Sequence, residues 1–219
     1  MKKQGYHHGN LKEELLKSAF EHIHNHDVED LTLKILADKT GTSKSAIYRH
    51  FASKDDLIEK LIINGFEQFD NAISPILNDR TIPLVDRLYL AGKKYIEFAI
   101  ENPNLYRLLF GRKFWHIREK IIDIKNSDSS GFGALRSAVE EGQKEGIVKD
   151  GDSFTFTVVV WSSLHGLSSL IINGFRNVKE SYGEIYDEKF NAMLQGILQD
   201  GAKVVTRMEK LNRMLNGQG

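Results

Sequence analysis

The sequence predicts an all-α protein, with three short helices at the N-terminus followed by a larger helical body. Three observations carry that expectation. Apolar residues recur at helical spacing through most of the chain. The three prolines, Pro75, Pro83 and Pro103, leave long stretches free of helix breakers. No run alternates apolar and polar residues as a half-buried strand would.

The elements follow in order. Leu11, Leu15, Ala19 and Ile23 recur every four residues, with Leu16 and Phe20 beside them, which predicts a first helix over about 10–26. Thr32 stands at the N-cap of a second helix carrying Leu33, Leu36 and Ala37, and Gly41–Thr42 breaks it. Ser43 can cap a very short third helix that buries Ala46, Ile47 and Phe51. Ser53 with Asp56 fits a capping box. It opens a fourth helix with Leu57, Ile58, Leu61, Ile62, Phe66 and Phe69, expected to end near Pro75. Further helices are expected over about 82–101, 103–111, 113–124, 130–145, 153–175 and 186–214, with loops near 126–133 and 149–153. The boundary between functions is placed at about residue 55, giving segments 1–55 and 56–219. The fourth helix crosses it, so no flexible linker is expected.

Composition bounds the function. At 219 residues, 41% hydrophobic and 27% charged, the chain can bury a core without cross-links. It has no cysteine, which excludes disulfides, thiolate metal sites and a cysteine nucleophile, and fits a reducing cytoplasm. Met1–Asn10 is polar and His-rich, unlike a signal peptide. Ser153–Phe175 carries no charge and is long enough to span a bilayer. Thr155, Thr157, Ser162, Ser163, His165, Ser168, Ser169 and Asn173 interrupt it, so it reads as a helix buried on most sides of a bundle, with no membrane partner. A formal net charge of +0 does not mark a nucleic-acid binder. The distribution says more: Lys34, Lys39, Lys44, Arg49 and Lys54 stand against one acid, Asp38, between residues 32 and 54.

That basic segment has the layout of a helix-turn-helix. Thr32–Thr40 would brace, Gly41–Thr42 would turn, and Ser43–His50 would enter the major groove. Leu33, Leu36, Ala37, Ile47 and Phe51 can lock the pair, leaving Lys44, Ser45, Tyr48 and Arg49 exposed for phosphates and base edges. On spacing alone, a helical hairpin with a solvated charged face fits equally well.

The residues Thr32, Ala37, Gly41, Ser43, Tyr48, His50, Phe51, Ser53, Lys54 and Leu57 resemble the DNA-binding signature of the TetR family. Tyr6–Leu11 resembles the lead-in of many members. More weakly, Asn102–Phe110, Glu141–Ile147 and the Trp161…His165-Gly166 element resemble C-terminal bodies of such regulators. Two positions depart from the pattern. Asp27 stands where a glycine usually ends the first helix, and was expected to tolerate a left-handed turn. Ile35 cannot complete a capping box with Thr32. The resemblance implies phosphate contacts from Tyr48, His50 and Lys54, helped by Thr32 and Ser43 at helix N-termini. Lys44, Ser45 and Arg49 are the base-edge candidates. Lys2, Lys3, His7 and His8 are either a basic arm on DNA or an unstructured terminus.

In the body, Ser162, Gly166 and Ser169 make one face of the uncharged helix narrow. The last helix carries Phe190, Leu194, Ile197, Leu198, Val204 and Val205. The two helices either pair with their copies in a homodimer, which the resemblance favours, or pack within one chain. The aromatics Tyr89, Tyr95, Phe98, Tyr106, Phe110, Phe114, Trp115 and Phe132 are either plain core or the wall of an effector cavity. Trp115, His116, Trp161 and His165 are the polar-tipped candidates to orient a small-molecule effector. An enzyme is the rival class. No Gly-x-Ser-x-Gly, phosphate-binding Gly-rich loop or His-Glu-x-x-His occurs, and no catalytic residue, metal or cofactor is expected. A helical ligand binder that lost DNA binding is a third reading, opposed by the intact run from Lys44 to Lys54. The resulting expectation is a cytoplasmic transcription regulator, a homodimer on double-stranded operator DNA.

Overall fold

The computed structural model describes residues 11–121 and 130–199. Among them run eleven α-helices and one 3-10 turn, with no strand beyond an isolated bridge. Helix α1 (Leu11–Asn25) buries Leu11, Leu15, Ala19 and Ile23 on one face, as their spacing requires. The chain does not leave it through a left-handed turn. Asp27 is extended, at φ −63 and ψ 146, and a 3-10 turn at Val28–Asp30 makes the reversal. No described residue other than glycine has a positive φ.

Next come α2 (Leu33–Thr40), α3 (Lys44–Ile47) and α4 (Lys54–Asn78). Pro75 lies inside α4 instead of ending it. The proline and Asn71, whose carbonyl loses its helical partner, are both exposed, so water can satisfy that carbonyl. Then follow α5 (Leu84–Glu101), α6 (Pro103–Phe110), α7 (Trp115–Ile121), α8 (Gly131–Lys144) and α9 (Ser153–Ile172). Gly174, at φ 88, separates α9 from an unanticipated short α10 (Arg176–Glu180). The last described helix, α11 (Tyr182–Ile197), stops well short of the expected 214. Leu198 turns extended and bridges Val148, with Lys149 N–H donating to Ile197 O and Gln199 N–H to Ile147 O, both at 2.9 Å. Val204, Val205, the Tyr6–Asn10 lead-in and Lys2, Lys3, His7 and His8 lie outside the described residues.

The described chain forms two compact units, and a single cut does not separate them. One comprises 11–67 with 102–121, the other 68–101 with 130–199. In the first, α6 packs on α1 and on the 3-10 turn. Gly65 lets α4 meet α6 closely: a Cβ there would lie 2.8 Å from Leu109 Cδ2 and 2.9 Å from Leu105 Cδ1. Phe66 meets Phe110 edge to face at 5.5 Å. Ile23, Leu36, Ile47, Phe51, Leu57, Leu61 and Tyr106 complete this core.

In the second unit α9 packs against α5, α8, α10 and α11. Arg87, only 3% exposed, donates to Leu77 O at the end of α4 and pairs with Glu141 of α8. The Tyr186 hydroxyl donates to Tyr89 O at 2.6 Å, and Tyr89 donates to Asp187 at 2.7 Å. Helix α9 is long and apolar enough to cross a membrane by length and composition. It is not buried on most sides: Thr155, Val159, Ser162, Gly166 and Leu170 form one open face.

Candidate nucleic-acid interface

The first unit assembles the helix-turn-helix from local chemistry. Thr32 caps α2, its hydroxyl accepting from Ile35 N–H at 3.2 Å, so the cap forms without an acidic partner at position 35. Gly41 ends α2 in a left-handed conformation, φ 63 and ψ 25, and its N–H returns to Ala37 O. Thr42 N–H donates to the same carbonyl at 2.9 Å. Ser43 caps α3, accepting from Ala46 N–H at 3.2 Å. Ile47 and Phe51 are buried with Leu36 and Ala37, which pins α3 against α2, while Leu33 is only half-buried.

Helix α3 is one turn long, and its continuation through Arg49 and His50 is a turn, not the longer helix expected to His50. Phe51 and Ser53 then lead into α4. Asp56 N–H donates to the Ser53 hydroxyl at 3.1 Å, and the Asp56 carboxylate accepts from Ala52 N–H at 2.9 Å. The reciprocal capping box is therefore present, shifted one residue in its return bond.

The predicted contact residues fall on one short stretch of this unit. Thr32, Ser43, Lys44, Ser45, Tyr48 and Arg49 are exposed, and His50 and Lys54 are half-buried. Tyr48 is 55% exposed, its ring in no aromatic contact among the described residues. The Ser45 hydroxyl lies 2.8 Å from that of Ser43, so it is held beside the cap. The N-termini of α2, α3 and α4 begin at these caps, each offering unpaired N–H groups where an anion is favoured.

A charged cleft of about 750 Å³ adjoins this region within the same unit. Asn25–Asp30 form one wall; Asn104, Arg107 and Gly111–Phe114 form the other. Lys113 Nζ spans it to Glu29 Oε1 at 2.9 Å. That bond, with a further pull from Lys113 and Lys54, holds the Glu29 carboxyl below its ordinary range. Sequence reasoning did not find this pair, because nothing local links α7's approach to the turn before α2.

The four effector candidates do not form one site. Trp115, 54% exposed, and His116, also exposed, belong to the first unit. Trp161 and His165 belong to the second. There Trp161 Nε1 donates to Tyr95 OH at 3.2 Å, and its ring meets Phe132 at 6.0 Å and His165 at 6.1 Å. Burial lowers the His165 pKa, favouring the neutral ring. Phe69 packs edge to face on Tyr95 and Phe98.

Comparison with known proteins places this geometry. Residues 15–61 match the family model for bacterial regulatory proteins of the tetR family. Residues 88–195 match the model for a tetracyclin repressor-like C-terminal domain. The nucleoid occlusion factor SlmA of Vibrio cholerae is 30% identical over 146 residues, 66% of this chain and 72% of that protein. The SlmA of Colwellia psychrerythraea is 29% identical over 155 residues, 71% of this chain and 76% of that one. Among solved structures, a Rhodococcus protein of unknown function superposes with a TM-score of 0.72 at 23% identity, over 90% of this chain and all of its own. A TetR transcription regulator from Haloarcula marismortui does so with a TM-score of 0.67 at 21% identity, over 87% of this chain and 99% of its own. With its helix-turn-helix and helical body thus matched along most of its length, the chain belongs to the tetR family of bacterial transcription regulators.

Proposed function

We propose that this chain represses transcription in the cytoplasm by binding a near-palindromic operator as a homodimer, and that a small-molecule effector modulates that binding. It acts as a regulator and not as an enzyme. The segment up to about residue 55 reads DNA, and the remainder serves regulation and dimerisation. The observation that carries the reading is the exposed set Lys44, Ser45, Tyr48 and Arg49 on α3 and the turn that follows it, in a helix-turn-helix whose two helices each begin at a side-chain cap. Lys44 at the start of α3 and Arg49 in the turn after it suit guanine edges, while Tyr48, His50 and Lys54 suit phosphates.

Selection of bound sequences from a random duplex pool tests this. An enriched near-palindrome with half-sites about one helical turn apart is expected. Lys54→Ala should then weaken specific and unrelated duplexes alike and flatten the salt dependence. Lys44→Ala and Arg49→Ala should cost about 1–3 kcal/mol at particular base pairs only. A pool with no enriched sequence, or equal losses on both duplexes for all three variants, would contradict the assignment.

The open face of α9 supports the homodimer. Val159 and Leu170 are 49% and 42% exposed on an uncharged face, and a Cβ built on Gly166 meets nothing within 4 Å. Phe190 and Ile197 of α11 are instead buried within their own chain, Leu194 is half-buried, and Ile185, 36% exposed, is the most exposed large apolar residue of that helix. Because Gly166 has free space in the single chain, Gly166→Leu should fold normally yet shift a sedimenting dimer toward monomer. An unchanged dimer would place the seam elsewhere.

The similarity to proteins named nucleoid occlusion factors favours a second reading, in which DNA is bound without transcriptional control. Genome-wide mapping of bound sites alongside transcript levels separates the two. A repressor's sites lie beside genes whose transcripts rise when the protein is deleted.

A further inference from the structure

The ion pair between Lys113 and Glu29 has a position that its own geometry does not explain. Lys113 is exposed, and a solvated pair of this kind contributes little to stability. Its place in the unit is more informative. Glu29 lies three residues before Thr32, the cap of α2, so the two Cα atoms are at most about 10–11 Å apart. Lys54, the first residue of α4, also acts on the Glu29 carboxylate through space. The N-terminus of α2 therefore lies close to Glu29, and Lys113 is tied directly to it.

Resting on the DNA-binding reading above, we propose that Lys113 is a further DNA-backbone contact, counterbalanced by Glu29 until a phosphate competes for it. Successive phosphates of one strand lie several ångströms apart, so a backbone held by Lys54 and the α2 N-terminus can continue past Lys113. Arg112 stands beside it, exposed, its guanidinium without a hydrogen bond or ion pair among the described residues. Asp27 and Asp30 line the opposite wall and repel an anion, so the phosphate sits at the rim formed by Arg112 and Lys113, not inside the cleft. Glu29 then acts as a built-in competitor. Removing its charge frees Lys113 and deletes one repulsion.

The test uses the full chain and two 40-base-pair duplexes, one carrying the selected operator and one unrelated. Lys113→Ala should weaken binding to both by at least about three- to tenfold, with a salt slope reduced by about 1.8, one contact being lost from each protomer of the dimer. Lys113→Arg should restore both. Glu29→Gln should tighten binding to both duplexes, and the tightening should vanish when Lys113→Ala is added. A purely structural pair predicts no gain in affinity for Glu29→Gln, with or without Lys113→Ala. Unchanged affinity and slope for Lys113→Ala, while Lys54→Ala weakens binding, overturns this proposal and leaves the helix-turn-helix assignment standing. Failure of the unaltered protein to bind either duplex overturns both.

Discussion

Glu141→Ala should destabilise the second unit by about 3–5 kcal/mol, the usual consequence of removing one member of a buried ion pair. Arg87 is 3% exposed and Glu141 is largely covered, so the guanidinium would remain buried with only Leu77 O to receive it. Arg80 also approaches Glu141, at 3.7 Å, but is 80% exposed and adds little. Arg87 holds the Glu141 carboxyl below its ordinary value of 4.5. A carboxyl whose folded pKa is depressed contributes its stability above the unfolded value. That contribution is complete above about pH 4.5 and is lost as pH falls through the lower folded value. Denaturant unfolding should therefore show the difference between wild type and Glu141→Ala at neutral pH and its shrinkage in acid. The double variant Arg87→Met/Glu141→Met should recover much of the loss, since two apolar groups leave no unpaired charge. Equal stability of wild type and Glu141→Ala at pH 7 would contradict this account.

Lys189→Met should do the reverse and stabilise the protein. The Lys189 ammonium is buried without a hydrogen-bond partner among the described residues, and sits 5.4 Å from the Tyr186 ring centroid. Burial brings its pKa down from 10.5 to about 8. For a cation with a depressed folded pKa, the unfolded chain binds more protons between the two values, so stability rises with pH across that interval. At pH 7 the charge is carried in both states and the full cost of its burial is present. The substitution should raise stability at pH 7 by on the order of 2 kcal/mol, and the advantage should fade between about pH 8 and 10.5. A melting-temperature series across pH reads this directly. No gain at pH 7, or a gain that grows in alkali, would mean the ammonium finds an anion in solution.

What the sequence disclosed and what it withheld follow the range of the interactions. Thr32, Ser43 and Ser53 were legible because a cap bonds to a backbone group three residues away. The stripe through Leu11, Leu15, Ala19 and Ile23 was legible because its period is local. The turn at Asp27 was misjudged because a 3-10 reversal at Val28–Asp30 competes with a left-handed residue, and composition does not choose between them. The end of α11 was not legible: the bridge from Leu198 to Val148 joins distant segments. Aromatic density likewise could not say that Trp115 and Trp161 belong to different units. Of the candidate interface, the residues from Lys44 to Lys54 were visible as a run in the sequence, whereas Lys113 beside Glu29 was not.

The first unit is stitched from two pieces of chain, with α5 running between them. Leu105 and Leu109 on α6 fill the notch at Gly65, and Phe110 covers Phe66. A gene cut after the reader helix would therefore encode a fragment lacking part of its own core. The helix-turn-helix unit of such a chain is not a cassette to be grafted onto another body by one junction. A working chimera has to carry α6 with it, from the same parent, so recombination that shuffles contiguous segments meets a barrier here that a strictly N-terminal domain would not impose.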